Sequence, residues 1–156
     1  MQRKETKEMG LVLDYLRAEC YTETLEALHD APDSSIGFRR KMKEAILAGN
    51  IELAHTLLLD AFPSVSADAP DMVSLMHSQK FIELIRNGEP EKALLFGRKC
   101  VQMNEGISKP NDLFLLLAYK NPEENEVIRE YMSLQRRETV FFAVDSFVKG
   151  KLIALI

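Results

Sequence analysis

Apolar residues recur at steps of three and four along almost the whole of this chain, and no run alternates convincingly with a period of two. That spacing puts one apolar stripe on each of a series of α-helices and leaves no face for a sheet. The stretch Val140-Phe141-Phe142-Ala143-Val144 has strand propensity, but its helical flanks and the lack of partner strands argue for helix. Gly, Pro and Asn cut the helical pattern into short pieces. The expected fold is all-α, a bundle of about nine short helices.

The first helix carries Met9, Val12, Leu13, Leu16 and Cys20 on one face, and Thr22 can cap a second helix bearing Leu25 and Leu28. Residues 31–37 (APDSSIG) read as a linker. A helix from Phe38 to Ala48 turns Phe38, Met42, Ala45 and Ile46 inward and the basic cluster Arg39, Arg40, Lys41 and Lys43 outward. The cluster reads as a solvated helix face; because cations near the expected helix start oppose its dipole, a contact to an acidic partner or RNA is the alternative, the latter weakened by the lack of an aromatic stacking platform. Gly49 stands where a helix wants a left-handed cap, and Asn50 can open the next helix, Ile51 to Ala61, which stops before Pro63. Residues 64–70 read as a loop. Asp71 caps a helix through Ile85, Asn87-Gly88 ends it, and Pro90 starts another to about Met103. A polar linker (104–110), an apolar helix (112–118) and a short polar helix (123–132) follow. The last helix, Leu134 to Lys149, has Val140, Phe141, Val144, Phe147 and Val148 on its apolar side. Gly150 is expected to end it, leaving LIALI as a last turn or an unpaired apolar terminus.

A chain of 156 residues fits one compact unit that buries about 70% of its unfolded surface. With a net charge of -4, nothing global draws it to nucleic acid or an acidic membrane. The longest apolar run, Leu113 to Tyr119, is far below the roughly 20 residues that span a bilayer. The charged N-terminus is not a secretory signal, and Cys20 and Cys100 form no disulfide framework, which points to a reducing compartment.

Chemistry-bearing motifs are missing. His29, His55 and His77 have no zinc-motif spacing, and there is no CxxC, HExxH or phosphate-binding glycine pattern. Cys20 reads as a packed thiol on an apolar face. Glu123, Glu124 and Glu126 read as the acidic start of a helix. The expectation is no catalytic residue, no metal and no cofactor.

Three segments in order resemble the LisH–CTLH–CRA family. Residues 11–29 (LVLDYLRAECYTETLEALH) are similar to a LisH motif. Residues 39–65 are similar to a CTLH motif, with Arg39, Met42, Ile46, Gly49, Ile51, Ala54, Leu58, Phe62 and Pro63 carrying the pattern. Residues 75–99 and 115–148 resemble a CRA region, and Gln135-Arg136-Arg137-Glu138-Thr139-Val140 resembles the RanBPM-like scaffold subunits in particular. The resemblance implies three segments, 1–30, 38–66 and 71–156, in one compact unit. It also implies a non-catalytic scaffold or adaptor of a CTLH (GID)-type E3 ubiquitin ligase in the cytoplasm or nucleus. Implied partners are a second copy or other LisH–CTLH subunits, RING-bearing ones included. The alternative is an oligomerisation module of another assembly, such as a transcriptional co-repressor or a cytoskeletal regulator. RanBPM-like members carry a SPRY domain ahead of the LisH motif, and nothing in these residues corresponds to it. Two Cys and three His are too few for the paired zinc sites of a RING domain, so a ligase role must be structural.

A short helix pair is marginal alone. Burying Leu13, Leu16, Tyr21 and Leu25 against a copy or a partner gains about 1.5–3 kcal/mol per side chain before entropy. Phe141, Val144 and Phe147 are the expected cover for that pair, or a partner surface of their own.

Overall fold

In the computed structural model, residues 7–28 and 34–154 are described. Among them run nine α-helices and no strand. They are α1 (Lys7–Ala18), α2 (Thr22–Ala27), α3 (Ser34–Leu47), α4 (Ile51–Ala61), α5 (Val65–Asp68), α6 (Pro70–Arg86), α7 (Pro90–Gln102), α8 (Pro110–Leu115) and α9 (Gln135–Ala154). Three 3₁₀ turns, Leu116–Ala118, Pro122–Glu124 and Arg129–Met132, lie between α8 and α9. His29 and the start of the expected 31–37 linker lie outside the described residues, as do Leu155 and Ile156 of the tail.

The all-α expectation holds, with local corrections. The linker after α2 is shorter than expected, because α3 already starts at Ser34. The basic cluster therefore sits in mid-helix, where the terminal dipole no longer acts on it. Residues 64–70 contain a helical turn, α5. Thr22 and Asp71 do not cap. Tyr21 and Ala69 hold those positions without a side-chain bond, and Pro70 opens α6. Asn50 does cap α4, accepting from the Leu53 amide at 3.2 Å. The expected polar helix at 123–132 is two 3₁₀ turns, and α9 passes through Gly150 to Ala154.

Four helices end in the same way. The residue after the C-cap takes a left-handed backbone: Cys20 (φ 62°), Gly49 (φ 82°), Gly88 (φ 74°) and Asn104 (φ 54°). In each case the next amide reaches back five residues, as Asn50 N–H does to the Ala45 carbonyl at 2.9 Å and Tyr21 N–H to Leu16 at 2.9 Å. These are Schellman caps, which satisfy carbonyls that the helix end leaves open. They fold α1 onto α2, α3 onto α4, and α6 onto α7.

Helix α6 is the axis of the molecule. Its first half joins Met42, Ile46, Leu58, Val65 and Val144 in a core shared with α3, α4 and α9. Its second half places Phe81 and Ile82 against Ala93, Leu113, Leu116, Ile128 and Met132. Close approach of α7 to α6 depends on Gly97, where a Cβ would lie 2.9 Å from Phe114 and 3.0 Å from Phe81. Polar residues are enclosed along α6 as well. Ser78 accepts from the Ser108 amide at 2.8 Å and donates to the Ser74 carbonyl, tying the α7–α8 linker down. Glu83 is gripped by Arg137 at 2.7 and 2.8 Å, and Arg137 also donates to the Leu47 carbonyl at 2.9 Å. Burial pushes the Glu83 carboxyl up, but the hydrogen bonds from Arg137 and Gln79 outweigh it and hold the group below the ordinary range.

Candidate interaction surface

The N-terminal helix pair splits its apolar residues between two faces. Leu13, Cys20 and Leu25 are buried with Ile36 of α3, and Leu16 packs beside them, half-buried. Of the expected interface residues on this pair, Leu13 and Leu25 thus lie inside the chain, and Tyr21 is exposed. Opposite them, Leu11 is 64% exposed, Tyr15 59% and Val12 49%, with Met9 and Leu28 also exposed. Met9 and Val12 do not share the inward face that the sequence spacing assigns to them. The Tyr15 and Tyr21 rings lie 6.3 Å apart and extend this patch to the α1–α2 turn. Helix α1 carries apolar residues at 9, 11, 12, 13, 15 and 16, more than one stripe needs. That excess was the readable signal for a second face.

The pair is seated on α3 through Arg39. Contrary to the outward orientation expected for the whole basic cluster, Arg39 is only 6% exposed. It donates to both oxygens of Asp145 (2.6 and 3.0 Å) and to the carbonyls of Arg17 (3.2 Å) and Ala18 (2.6 Å). Burial pushes the Asp145 carboxyl up, and hydrogen bonds from Arg39 and Lys149 overcome that and hold it below the usual carboxylate range. The other basic residues do reach the surface. Arg40 pairs with Glu44 at 2.9 Å and donates to the Thr22 hydroxyl. Lys43 lies over both the Tyr21 and Phe141 rings, 5.9 and 5.7 Å from their centroids.

Phe141 and Val144 are buried, and Phe147 is half-buried. Their neighbours are the α3–α4 helices rather than the N-terminal pair: Phe147 meets Phe62 edge-on at 5.5 Å, and Phe62 meets Phe38 at 6.2 Å. So α9 covers the α3–α4 hairpin, and Lys43 and Asp145 are its links toward α1–α2. Within that hairpin Met42, Ile46, Ile51, Ala54 and Leu58 are enclosed, Phe62 is half-buried at the C-cap of α4, and Pro63 is exposed. A Cβ on Gly49 would lie 2.6 Å from Arg137 and 2.8 Å from Glu83, so that glycine serves both the cap and the ion pair beside it.

An open cleft of about 770 Å³ lies between the α6–α7 turn and the 3₁₀ segment, bordered by Arg86, Leu116, Tyr119 and Pro122. Arg86 is engaged by the Met132 carbonyl at 2.8 Å and by Glu83 at 3.3 Å. Glu123 and Glu124 at its rim are exposed. This arrangement offers contact surface rather than a nucleophile beside a base. No described helix is long and apolar enough to cross a membrane.

Comparison with known proteins places this geometry. The profile of the family described as "CTLH/CRA C-terminal to LisH motif domain" matches residues 35–147, from α3 into α9. The chain is 31% identical to "Ran-binding protein M homolog" of Arabidopsis thaliana over 89% of its length and 35% of that protein's. It is 30% identical to "Glucose-induced degradation protein 8 homolog" of Nematostella vectensis over 79% of its length and 60% of the relative's. A third relative, "Protein GID8 homolog" of Arabidopsis thaliana, is 31% identical over 57% of this chain and 40% of its own length. The chain thus spans between about a third and three fifths of these relatives. No solved structure matches it. On the match across α3 to α9, this chain is a member of the CTLH/CRA C-terminal to LisH motif domain family.

Proposed function

We propose that this chain is a non-catalytic scaffold subunit of a CTLH (GID)-type E3 ubiquitin-ligase assembly in the cytoplasm or nucleus. It holds its partners through helix surfaces, with the exposed face of α1–α2 as the main contact. The observation that carries this reading is the second apolar face on that pair, Leu11, Val12 and Tyr15, left open after Leu13 and Leu25 are buried inside the chain. Contiguous exposed apolar side chains of this kind mark protein contact sites. Similarity to a glucose-induced degradation protein homologue and to a Ran-binding protein M homologue supports the assembly named.

A two-fold contact between identical pairs would bury this face symmetrically, and the same face can receive the equivalent pair of another subunit, RING-bearing ones included. Light scattering on a size-exclusion column tests the first arrangement. A dimer or larger species is expected, and Leu11→Glu with Tyr15→Glu should return it to the monomer. A wild-type chain that stays monomeric at high micromolar concentration and recovers no RING subunit on affinity purification would overturn the proposal. Recovery of a different assembly, co-repressor or cytoskeletal, would keep the docking role and replace the ligase.

A further inference from the structure

We propose that His77, Cys100 and Glu105 form a binding site for a zinc-like divalent transition metal ion, with the His55 ring beside them. One ligand atom from each of the three lies within 4.8 Å of the others. Zinc bonds of about 2.0–2.3 Å in a tetrahedron put donor atoms roughly 3.3–3.8 Å apart, so the site must contract by about 1 Å. Glu105 is the exposed member, while His77 and Cys100 are buried, 7% and 1% exposed.

The fold assembles these donors from separate elements, which is why sequence spacing does not reveal them. Cys100 is in the last turn of α7. Left-handed Asn104 turns the chain back, so that the Glu105 amide bonds the Cys100 carbonyl at 3.0 Å and stands beside that thiol. Gly106 then passes close against Ser74 of α6, where no Cβ would fit. Its carbonyl accepts from His77 Nδ1 at 3.2 Å. A carbonyl can only accept, so Nδ1 carries the proton and Nε2 keeps its lone pair. The same device orients the imidazoles of metal sites.

His55 supplies an independent observation. Its ring lies edge-on to His77 with centroids 5.4 Å apart, and its Nε2 is buried with no hydrogen-bond partner. An unpaired buried nitrogen costs free energy and calls for a ligand. Beside these groups is a cavity of about 190 Å³ lined by His55, His77, Lys80, Phe96, Lys99 and Glu105. Lys80 is engaged by Glu52 at 3.6 Å and by the Phe96 ring at 4.6 Å.

Thiolate and imidazole donors select a borderline metal such as zinc over calcium or magnesium. Metal binding releases the Cys100 proton to solvent as the metal–sulfur bond forms. The ion would clamp α6 to α7 and its cap.

Cobalt(II) is the probe. The full chain, stripped with chelator, should take up one cobalt per chain. A thiolate-to-cobalt charge-transfer band and the visible bands of a tetrahedral site should appear, and zinc should displace both. Cys100→Ser should lose the charge-transfer band. Glu105→Gln, at an exposed position that leaves the fold intact by circular dichroism, should bind at least about tenfold more weakly. A folded wild-type chain without the thiolate band, a band that survives Cys100→Ser, or unchanged affinity in Glu105→Gln would each overturn the site.

Discussion

Arg39 and Asp145 are 106 residues apart, yet their side chains meet in a two-pronged pair at 2.6 and 3.0 Å, with only 7% and 8% of each left exposed. The same guanidinium donates to the last carbonyls of α1. One side chain therefore fixes the N-terminal pair, the α3–α4 hairpin and the C-terminal helix to one another.

Breaking that pair should be far more damaging than replacing it. Asp145→Leu leaves the buried Arg39 guanidinium without its carboxylate and should cost about 3–5 kcal/mol in urea unfolding, and Arg39→Met, which leaves Asp145 with Lys149 at 3.0 Å, should cost less. The double variant should cost clearly less than the sum of the two. Additive losses would show that the two groups do not depend on each other.

Two glycines with the same backbone separate strain from crowding. Gly49→Ala meets both a left-handed φ and the Arg137–Glu83 pair, whereas Gly88→Ala has the φ and open space around it. We expect a loss of about 1–2 kcal/mol at Gly88 and a larger one at Gly49, read from denaturation midpoints. Equal losses would mean that the ion pair moves aside freely.

Acid should loosen the molecule through Glu83 and Asp145. Both have folded-state pKa values below their ordinary ones, so the stability they contribute is full above the ordinary carboxylate range. It is lost as pH falls through their lowered folded values. Unfolding free energy should therefore be flat near neutrality and fall below about pH 4.5, the ordinary glutamate value. Glu83→Gln should flatten that fall while lowering stability at neutral pH. An unchanged acid limb in this variant would remove Glu83 from the account.

Helix number and class were legible in the sequence because the apolar stripes and the glycine and proline stops are local signals. Gly49 and Asn50 could be read for the same reason, since a cap is decided within a few residues. What was not legible depends on distant partners. Arg39 sits in a basic run that looks solvated until Asp145 arrives from α9. His77, Ser78, Gln79 and Glu83 are polar by type, yet α6 is enclosed on nearly all sides and pairs them internally. The inward and outward faces of α1 were merged for a related reason. With apolar residues almost all round, only contact with Ile36 shows which side turns in.

That division of faces has a measurable signature. Leu25→Ala empties a fully buried position and should cost about 2–5 kcal/mol. Leu11→Glu should change the unfolding free energy of the monomer by no more than about 0.5 kcal/mol. Loss of stability from the Leu11 variant under dilute, monomeric conditions would place that residue in the chain's own core instead.

Helix α9 closes the hydrophobic centre that α3 and α4 open, although the latter precede it by most of the chain. On the ribosome, Met42, Ile46 and Leu58 emerge long before the segment that shields them exists. The nascent protein must keep that greasy hairpin out of trouble until synthesis is nearly finished. A stop codon placed before residue 135 should accordingly yield a product bound by chaperones rather than a smaller folded unit.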